Sequence, residues 1–217
     1  MRQKIDPILL PHRPDLSFEF RLWREGISHL AGIDEAGRGA WAGPVAAAAV
    51  IFHSKSALPS ALDEVNDSKK LSSKKREELA WAIKEYAAGW GIGFASADEI
   101  DSIGILPSTR LAMKRALSSL TLMPDHLLLD FVTIPDLALP QTPLVKGDAR
   151  SLSIAAASIL AKTARDHVMR EQDDQYPGYG WMTNMGYGTA AHRSAIQNLG
   201  LTPIHRRSFR PMSLLAF

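Results

Sequence analysis

Four carboxylates occupy positions that the packing of a hydrophobic core does not explain. Asp34 and Glu35 stand side by side in "LAGIDEAGRGAWAGPV", at the end of an apolar run. Asp130 closes the apolar run "HLLLD", and Asp148 lies in "VKGDAR", shortly before a long segment of small residues. Taken singly, each acid is consistent with a turn, a strand end or a helix start, where the helix dipole favours negative charge. They form a site only if the fold gathers them.

A cluster of carboxylates is costly unless protons or cations neutralise it. The chain has no cysteine, and its seven histidines include no pair at ligand spacing. Oxygen ligands alone favour a hard ion, Mg²⁺ or Mn²⁺, over zinc. Two such ions roughly 3.5–4 Å apart can activate a water molecule and stabilise the leaving oxygen of a phosphodiester. The acids therefore indicate metal-dependent phosphodiester hydrolysis.

The glycines after the first acid pair have two possible uses. Neighbouring strand residues face opposite sides, so Asp34 and Glu35 can share a site only where the strand ends and turns, which Gly37 and Gly39 permit. Glycine also lets the backbone approach a ligand closely. A backbone N–H and C=O held against a sugar can recognise a 2′-hydroxyl, which both donates and accepts a hydrogen bond.

Two other phosphate-binding loops do not fit this turn. In "GRGAWAG" the third glycine comes one position too late for a dinucleotide-binding G-x-G-x-x-G motif. The preceding acids would also repel a pyrophosphate. The terminal Gly-Lys-Ser/Thr of a P-loop is missing as well.

The surrounding sequence alternates between strand and helix patterns. Strands are predicted at "HLAGID", "VAAAAVIF", "GWGIGFAS" and "DHLLLDFV". Helices are predicted at "LSFEFRLWREG", "SKKREELAWAIKEYAA", "PSTRLAMKRALSSL" and "SLSIAAASILAKTARDHVMREQ". This alternation favours an α/β sheet domain followed by a mainly helical appendage. Because sheet ends converge in α/β folds, we expect the acids to meet in one crevice.

Length and composition indicate how the chain is divided into domains. The chain has 217 residues, of which 46% are hydrophobic and 22% charged, so wholesale disorder is excluded. We expect a flexible N-terminal tail over residues 1–16, an α/β core over about 17–172 and a helical and loop part over about 173–217. No segment has the uninterrupted apolar run of a secretion signal or a membrane span. A cytoplasmic protein without membrane contact is the expectation.

The charge pattern leaves a choice open. A net charge of +2 neither demands nor excludes a nucleic-acid partner. Basic residues cluster in two places, at Lys69, Lys70, Lys74, Lys75 and Arg76 and at Arg206, Arg207 and Arg210. Such runs are usually solvated faces.

A series of motifs across about residues 18–211 resembles bacterial ribonuclease HII in order and spacing. These motifs are "GIDEAGRG", "AGPV", "DSKKLS", "VKGD", "SIAAASILAKTARD", "YPGYG", "GYGT" and "HRRSF". The resemblance implies a ribonuclease H-like fold, a mixed sheet flanked by helices. It also implies metal-dependent endonucleolytic cleavage of RNA in RNA–DNA hybrids and at lone ribonucleotides in duplex DNA, leaving 3′-hydroxyl and 5′-phosphate ends. Ribonucleotide excision repair and DNA replication are the implied processes.

Site residues follow from the matching motifs. The resemblance implies that Asp34, Glu35, Asp130 and Asp148 are both the catalytic residues and the ligands of two Mg²⁺ or Mn²⁺ ions when substrate is bound. The resemblance also implies contacts to substrate: a ribose-sensing turn at Gly37, Arg38 and Gly39, and a tyrosine, Tyr187, that stacks on the neighbouring sugar. Under the same resemblance, Lys69 and Lys70 either contact backbone phosphates, which position a duplex without specifying its sequence, or remain part of a solvated face.

Some features remain open at this point. His205 could be a general base, but its position beside two arginines favours a structural role. The chain departs from the family pattern at Ala40-Trp41, Gly104 and Met185. The expected partners are RNA–DNA hybrid and ribonucleotide-containing duplex DNA, bound by a monomer. The alternatives are a ribonuclease HIII or another nuclease of the superfamily, and a hybrid-binding module without catalysis.

Overall fold

Two largely buried strands lie at the centre of the protein. The computed structural model describes residues 10–54, 59–210 and 212. In it, β1 (Leu30–Ala36) and β2 (Val45–Ile51) pair antiparallel, and every residue of β2 is buried. Strands covered on both faces appear in sequence as continuous apolar runs. The run "VAAAAVI" is therefore explained by helices on both sides of the sheet.

The sheet has five strands in the order β3-β2-β1-β4-β5. The further strands are β3 (Gly89–Ala95), β4 (His126–Asp130) and β5 (Gln141–Leu144). β3 pairs antiparallel with β2, whereas β4 is parallel to β1 and β5 is parallel to β4. The carboxyl ends of the three parallel strands β1, β4 and β5 therefore point to the same end of the sheet.

Seven α-helices accompany this sheet in the described part of the chain. They are α1 (Ser17–Arg24), α2 (Ser73–Tyr86), α3 (Ala97–Ile103), α4 (Ile105–Ser118), α5 (Leu152–Gln175), α6 (Trp181–Asn184) and α7 (Ala190–Leu199). Helices α2 and α5 pack on one face of the sheet, and α3 and α4 pack on the other. None of the described helices is both long and apolar enough to cross a membrane.

Helix α5 lies unusually close to β1. A Cβ at Gly32 would come within 2.2 Å of the backbone carbon of Ser153, so only glycine fits there. The first three turns of α5 consist mostly of buried alanine and serine, which allow this approach. Ser151 caps the helix by accepting a hydrogen bond from the backbone N–H of Ile154 at 3.3 Å. The start of α5 is thereby fixed directly above β1.

The predicted strands and helices are confirmed, and so is the mainly helical C-terminal part. Two elements were missed. β5 is short and contains Pro143, which an edge strand tolerates. α3 has seven residues and begins with a capping box between Ser96 and Glu99. Residues 1–9 of the expected tail lie outside the described residues, and Asp15 forms an isolated parallel bridge with Ser151.

Candidate active site

The sheet brings three of the four sequence-predicted acids together. β1 and β4 run parallel with Ile33 opposite Leu129, so Asp34 is level with Asp130, the last residue of β4, although β1 itself continues to Ala36. Asp148 lies in a short 3₁₀ turn, Gly147–Ala149, between β5 and α5. Asp34, Asp130 and Asp148 each offer a carboxylate oxygen, and these atoms all lie within 4.8 Å of one another. The expected convergence is confirmed for these three.

Backbone N–H groups orient two of these carboxylates. The N–H of Glu35 donates to Asp34 Oδ1 at 2.7 Å, and the N–H of Gly147 donates to Asp130 Oδ1 at 2.7 Å. The second bond also ties the turn that carries Asp148 to the end of β4. The relative positions of the acids are therefore set by the backbone rather than by flexible side chains.

Glu35 lies beside this cluster but outside the group of three. Arg38 Nη1 donates to Glu35 Oε1 at 2.9 Å. Within the described part of the chain, Glu35 Oε2 is buried and has no hydrogen-bond partner. Leaving a buried charged oxygen unpaired is costly, which indicates that a cation belongs there.

The electrostatics of the cluster show the same need for positive charge. Burial, and then repulsion from Glu35, Asp130 and Asp148, raises the pKa of Asp34 well above its usual value. Burial and repulsion from Asp148 raise the pKa of Asp130 to about 6. Burial raises the pKa of Glu35, although Arg38 opposes the rise. The protein's own cations thus leave the cluster incompletely neutralised.

Lys69 forms an ion pair with one of these acids. Its Nζ lies 3.3 Å from Asp148 Oδ2 and 3.7 Å from Asp67 Oδ1, and three-quarters of its side chain remains exposed. Burial would lower the pKa of Lys69, but the attraction of Asp148, Asp67 and Asp34 outweighs it and raises the pKa. Lys69 stays charged at the mouth of the acidic cluster.

The donor set fits a hard divalent ion. Every potential ligand is a carboxylate oxygen, the acids are held rigidly, and a buried oxygen of Glu35 lacks a partner among the described residues. Mg²⁺ and Mn²⁺ prefer such oxygen ligands. A bound cation would also remove the repulsion that raises the pKa values of Asp34 and Asp130.

The turn after β1 is supported from beneath by a buried arginine. Gly37 has φ +88°, and a Cβ there would lie 1.9 Å from Arg165 Nε. Arg165 donates to three backbone carbonyls, those of Pro44 at 2.8 Å, Ala42 at 3.0 Å and Met185 at 2.9 Å. The other face of the turn is open. Apart from the neighbours of Gly39 in the chain, no atom of the described residues would lie within 4 Å of a Cβ there.

A second buried arginine holds the same turn. Arg206 donates from Nε to the Gly43 carbonyl at 2.9 Å and from Nη1 to the Arg38 carbonyl at 3.0 Å. Burial and the nearby charge of Arg165 lower the pKa of Arg206 to about 9. The sequence-based interpretation of Arg206 as part of a solvated basic face was wrong, because its guanidinium is fully buried.

Sequence reasoning also missed Arg165. One signal was present: Arg165 lies in a helix whose buried residues are mostly alanine, serine and aliphatic side chains. A charge that is buried in such a helix needs hydrogen-bond partners, so its burial predicts a structural role.

Tyr187 lies in a loop that is hydrogen-bonded to this turn. The N–H of Trp41 donates to the Gly186 carbonyl at 2.8 Å. The ring of Tyr187 is partly exposed, with the guanidinium carbon of Arg165 at 5.4 Å and Lys162 Nζ at 5.8 Å from its centroid. The turn and the tyrosine therefore form one continuous surface supported by Arg165.

The departures from the family pattern have local structural roles. Trp41 occupies the space above Gly188, where a Cβ would lie 2.1 Å from its indole. Met185 adopts φ +50° and directs its carbonyl to Arg165. Gly104 has φ +84° and separates α3 from α4. Ala40 is fully buried beneath the turn.

His205 is buried among other side chains rather than directed at the acids. Its Nδ1 lies 2.9 Å from the N–H nitrogen of Thr202, and its Nε2 lies 3.1 Å from His192 Nε2. These contacts support the structural role that the sequence favours for His205. They do not support a role as a general base.

A mixed five-stranded sheet with an acidic cluster at the ends of its parallel strands defines a metal-dependent nuclease of the ribonuclease H-like class. A family model of ribonuclease HII matches residues 31–212. The chain belongs to the ribonuclease HII family. It is a type 2 ribonuclease H, an endonuclease whose family depends on divalent metal ions and acts on RNA–DNA hybrids.

Individual relatives agree with this assignment. Ribonuclease HII of Chloroflexus aurantiacus is 52% identical over 200 residues, which cover 92% of this chain and 94% of that protein. Ribonuclease HII of Moorella thermoacetica is 53% identical over 196 residues, covering 89% of this chain and 92% of that one. Ribonuclease H2 of Pyrococcus horikoshii has a similar fold, with a TM-score of 0.71 at 24% identity over 86% of this chain and 96% of that chain.

Proposed function

We propose that this enzyme cuts the RNA strand of RNA–DNA hybrids and also cuts duplex DNA at single embedded ribonucleotides. The products carry 3′-hydroxyl and 5′-phosphate ends, and the enzyme serves ribonucleotide excision repair and DNA replication. The observation that carries the proposal is the convergence of Asp34, Asp130 and Asp148 within 4.8 Å, next to a glycine turn with an open face. Such a site combines phosphodiester hydrolysis with close backbone contact to a sugar.

Asp34, Glu35, Asp130 and Asp148 would hold the metal, Mg²⁺ or Mn²⁺, with two ions when substrate is bound. Bound ions would supply an activated water and stabilise the leaving oxygen. The chain's own contribution is orientation, because the N–H groups of Glu35 and Gly147 each fix one carboxylate oxygen. Arg38 holds Glu35 Oε1, so that Oε2 is the oxygen left to bind.

Substrate discrimination is assigned to the turn of Gly37, Arg38 and Gly39. Because the described residues other than its chain neighbours leave the space around a Cβ at Gly39 open, the backbone there can contact a sugar directly. A backbone N–H and C=O can satisfy both functions of a 2′-hydroxyl, which DNA lacks. Tyr187 would support the neighbouring sugar with its exposed ring face.

Lys69 is assigned to a backbone phosphate. Its side chain is largely exposed next to Asp148, where a cation would attract the scissile strand and offset repulsion from the acids.

The proposal extends to organisation. Residues 17–172 form the catalytic core and residues 173–217 the C-terminal part that carries Tyr187, with residues 1–16 as an N-terminal tail. All of the proposed site residues come from one chain, which supports a monomer as the active unit.

Cleavage of defined duplexes tests the proposed function. The substrates are a DNA duplex with one ribonucleotide, an RNA–DNA hybrid and an all-DNA duplex, each with Mg²⁺ or Mn²⁺. We expect cutting of the first two and none of the third, with products that a polymerase extends from the new 3′-hydroxyl. Cutting of the all-DNA duplex, or no cutting of the single-ribonucleotide duplex with either ion, would contradict the proposal.

Replacing a metal-binding acid tests the cluster. Asp34→Asn and Asp130→Asn should each abolish cleavage while leaving the fold intact, because the amide keeps the shape and the oxygen that accepts the backbone hydrogen bond. Binding of the hybrid should persist or tighten, since phosphate repulsion falls. Asp98→Asn, at an exposed acid in α3, is the matched control and should retain full activity. Near-normal turnover of either cluster variant at saturating metal would refute the assignment.

A further inference from the structure

Within the C-terminal part of the protein, a line of hydrogen bonds leads from Thr202 to the backbone of Tyr187. The N–H nitrogen of Thr202 lies 2.9 Å from His205 Nδ1, and His205 Nε2 lies 3.1 Å from His192 Nε2. His192 Nδ1 lies 3.1 Å from the Tyr187 carbonyl oxygen. Both imidazoles are almost completely buried, with His192 at 0% and His205 at 1% exposure.

The partners of each ring fix its tautomer. Trp181 Nε1 can only donate, and it lies 3.1 Å from His192 Nε2, so that nitrogen is an acceptor. The proton of neutral His192 is therefore on Nδ1 and is donated to the Tyr187 carbonyl. In the same way, His205 Nδ1 accepts from the N–H of Thr202. Its proton is on Nε2 and is donated to His192 Nε2, which accepts it together with the Trp181 N–H through one shared lone pair.

These assignments give every bond in the line the same direction, with donation running from Thr202 to Tyr187. Burial lowers the pKa of His192, and burial together with His192 lowers the pKa of His205 to about 4. Both rings are therefore neutral near pH 7. Each ring then has one donor and one acceptor, as the line requires.

The backbone of Tyr187 is held on both sides by this arrangement. Its N–H donates to the Asn184 carbonyl at 2.9 Å. Its carbonyl accepts from His192 Nδ1 and from the N–H of Thr189 at 2.8 Å. Tilting this peptide would swing the aromatic ring, because the ring is joined to the same Cα. The histidines thus control the direction of the exposed ring.

We propose that His192 and His205 are positioning residues for substrate recognition, acting by fixing the backbone of Tyr187. This inference rests on the proposed role of Tyr187 as the support for a sugar next to the ribonucleotide. Neither histidine touches the acids or substrate in this assignment. A buried polar pair is costly to maintain unless fully satisfied, and complete satisfaction also specifies one arrangement of the groups it joins.

Asparagine and glutamine can test the two ring nitrogens one at a time, because the amide of each residue lies near only one of them. At position 192, Asn places an amide nitrogen near the former Nδ1 and can still donate to the Tyr187 carbonyl, whereas Gln reaches the former Nε2 and cannot. We expect His192→Gln to lower kcat/KM on the single-ribonucleotide duplex about tenfold, mainly through KM, and His192→Asn to stay within about threefold of wild type.

The preference should reverse at position 205. There Gln can donate to His192 Nε2 and preserve the link towards Tyr187, whereas Asn satisfies the N–H of Thr202 and loses that link. His205→Gln should therefore be more active than His205→Asn at comparable melting temperatures. A role in packing alone would rank Asn and Gln in the same order at both positions. That result would overturn the proposal, and the second position also serves if a variant at the first fails to fold.

Pairing His192→Gln with Tyr187→Ala identifies the route of the effect. If the histidine acts through Tyr187, His192→Gln has no further effect on kcat/KM in the Tyr187→Ala background. Additive losses, with Tyr187→Ala itself impaired, would overturn the inference and leave the proposed role of Tyr187 standing. Unchanged cleavage by Tyr187→Ala alone would refute that proposed role and the inference with it.

Discussion

Gly37 and Gly39 stand two positions apart in one turn, yet their surroundings predict opposite consequences of adding a methyl group. At Gly39 a Cβ would meet no atom within 4 Å in the described part of the chain, its two neighbours aside. Replacement of a glycine at an unstrained position stabilises a fold by about 0.4–1 kcal/mol through the unfolded chain. Gly39→Ala should therefore melt at or slightly above the wild-type temperature.

Gly37→Ala should damage the fold itself. Its φ of +88° is unfavourable for alanine by about 1–2 kcal/mol. The Cβ would also lie 1.9 Å from Arg165 Nε and displace a buried side chain that donates to three carbonyls. Each lost bond from a charged donor costs about 1.5–3 kcal/mol. A loss of several kcal/mol is expected, and any loss of activity follows from that.

Gly39→Ala should instead lower activity without loss of stability. If the sugar lies against this backbone, the methyl group displaces it, and a shift of about 1 Å can cost about a hundredfold in rate. That factor corresponds to about 2.7 kcal/mol. The all-DNA duplex should remain uncut, because removing a contact to the 2′-hydroxyl creates no contact to a deoxyribose.

The assay measures cleavage of the single-ribonucleotide duplex and the melting temperature in parallel for wild type, Gly37→Ala and Gly39→Ala. Gly89→Ala, at the start of the edge strand β3, is the control, because its Cβ would make only ordinary contacts, the nearest at 3.6 Å. Full activity of Gly39→Ala would show that the turn merely ends a strand. A large fall in its melting temperature would refute the structural reasoning.

Two other predictions concern charge at the site. Lys69→Ala should reduce the slope of the logarithm of the binding constant against the logarithm of the salt concentration by about 0.9, the value for one phosphate contact on B-DNA. The position of the cut should not change. An unchanged slope would show that Lys69 does not contact the backbone and is a surface residue. Acid should stabilise the metal-free enzyme, because burial and Asp148 raise the pKa of Asp130 to about 6, so the folded state binds this proton more tightly than the unfolded chain does. Stability should thus increase as pH falls from about 7 to 5, with about 2–4 °C in Tm for each kcal/mol gained, and Asp130→Asn should reduce that gain. A metal-free melting temperature that falls over this range in both proteins would contradict the cause given for the shift.

The acids could be predicted from sequence because each follows a pattern that marks its place in the fold. Asp34 and Asp130 end apolar runs, and such runs are buried strands whose ends meet at one edge. Asp148 comes just before a long helical pattern, which places it in the connection between the last strand of the sheet and that helix. The strand β5 escaped detection because Pro143 and its polar neighbours lack the apolar signal of a central strand.

The contacts that hold the glycine turn and the loop of Tyr187 could not be predicted in the same way. Arg206 donates to the carbonyl of Gly43, 163 positions away, and Arg165 donates to that of Ala42, 123 positions away. The acceptors are backbone carbonyls, which every residue has, so the type of the accepting residue does not reveal the bond. The role of His192 is equally hidden, because its acceptor is the backbone of Tyr187. Periodicity records which face of an element is buried, but it does not record what a buried polar group binds.

One turn of α5 joins the segments that would contact substrate. Arg165 holds the glycine turn and the loop of Tyr187, as described above. Its neighbour Asp166 pairs with Arg76 at 3.3 Å, and Arg76 in turn donates to the carbonyl of Ser68, next to Lys69. Because Asp148 lies just before the same helix, a shift of α5 would move Asp148, the turn, the tyrosine and the lysine relative to the acids of β1 and β4. The tight packing of α5 on β1 would therefore preserve the geometry of the proposed site as well as the stability of the core.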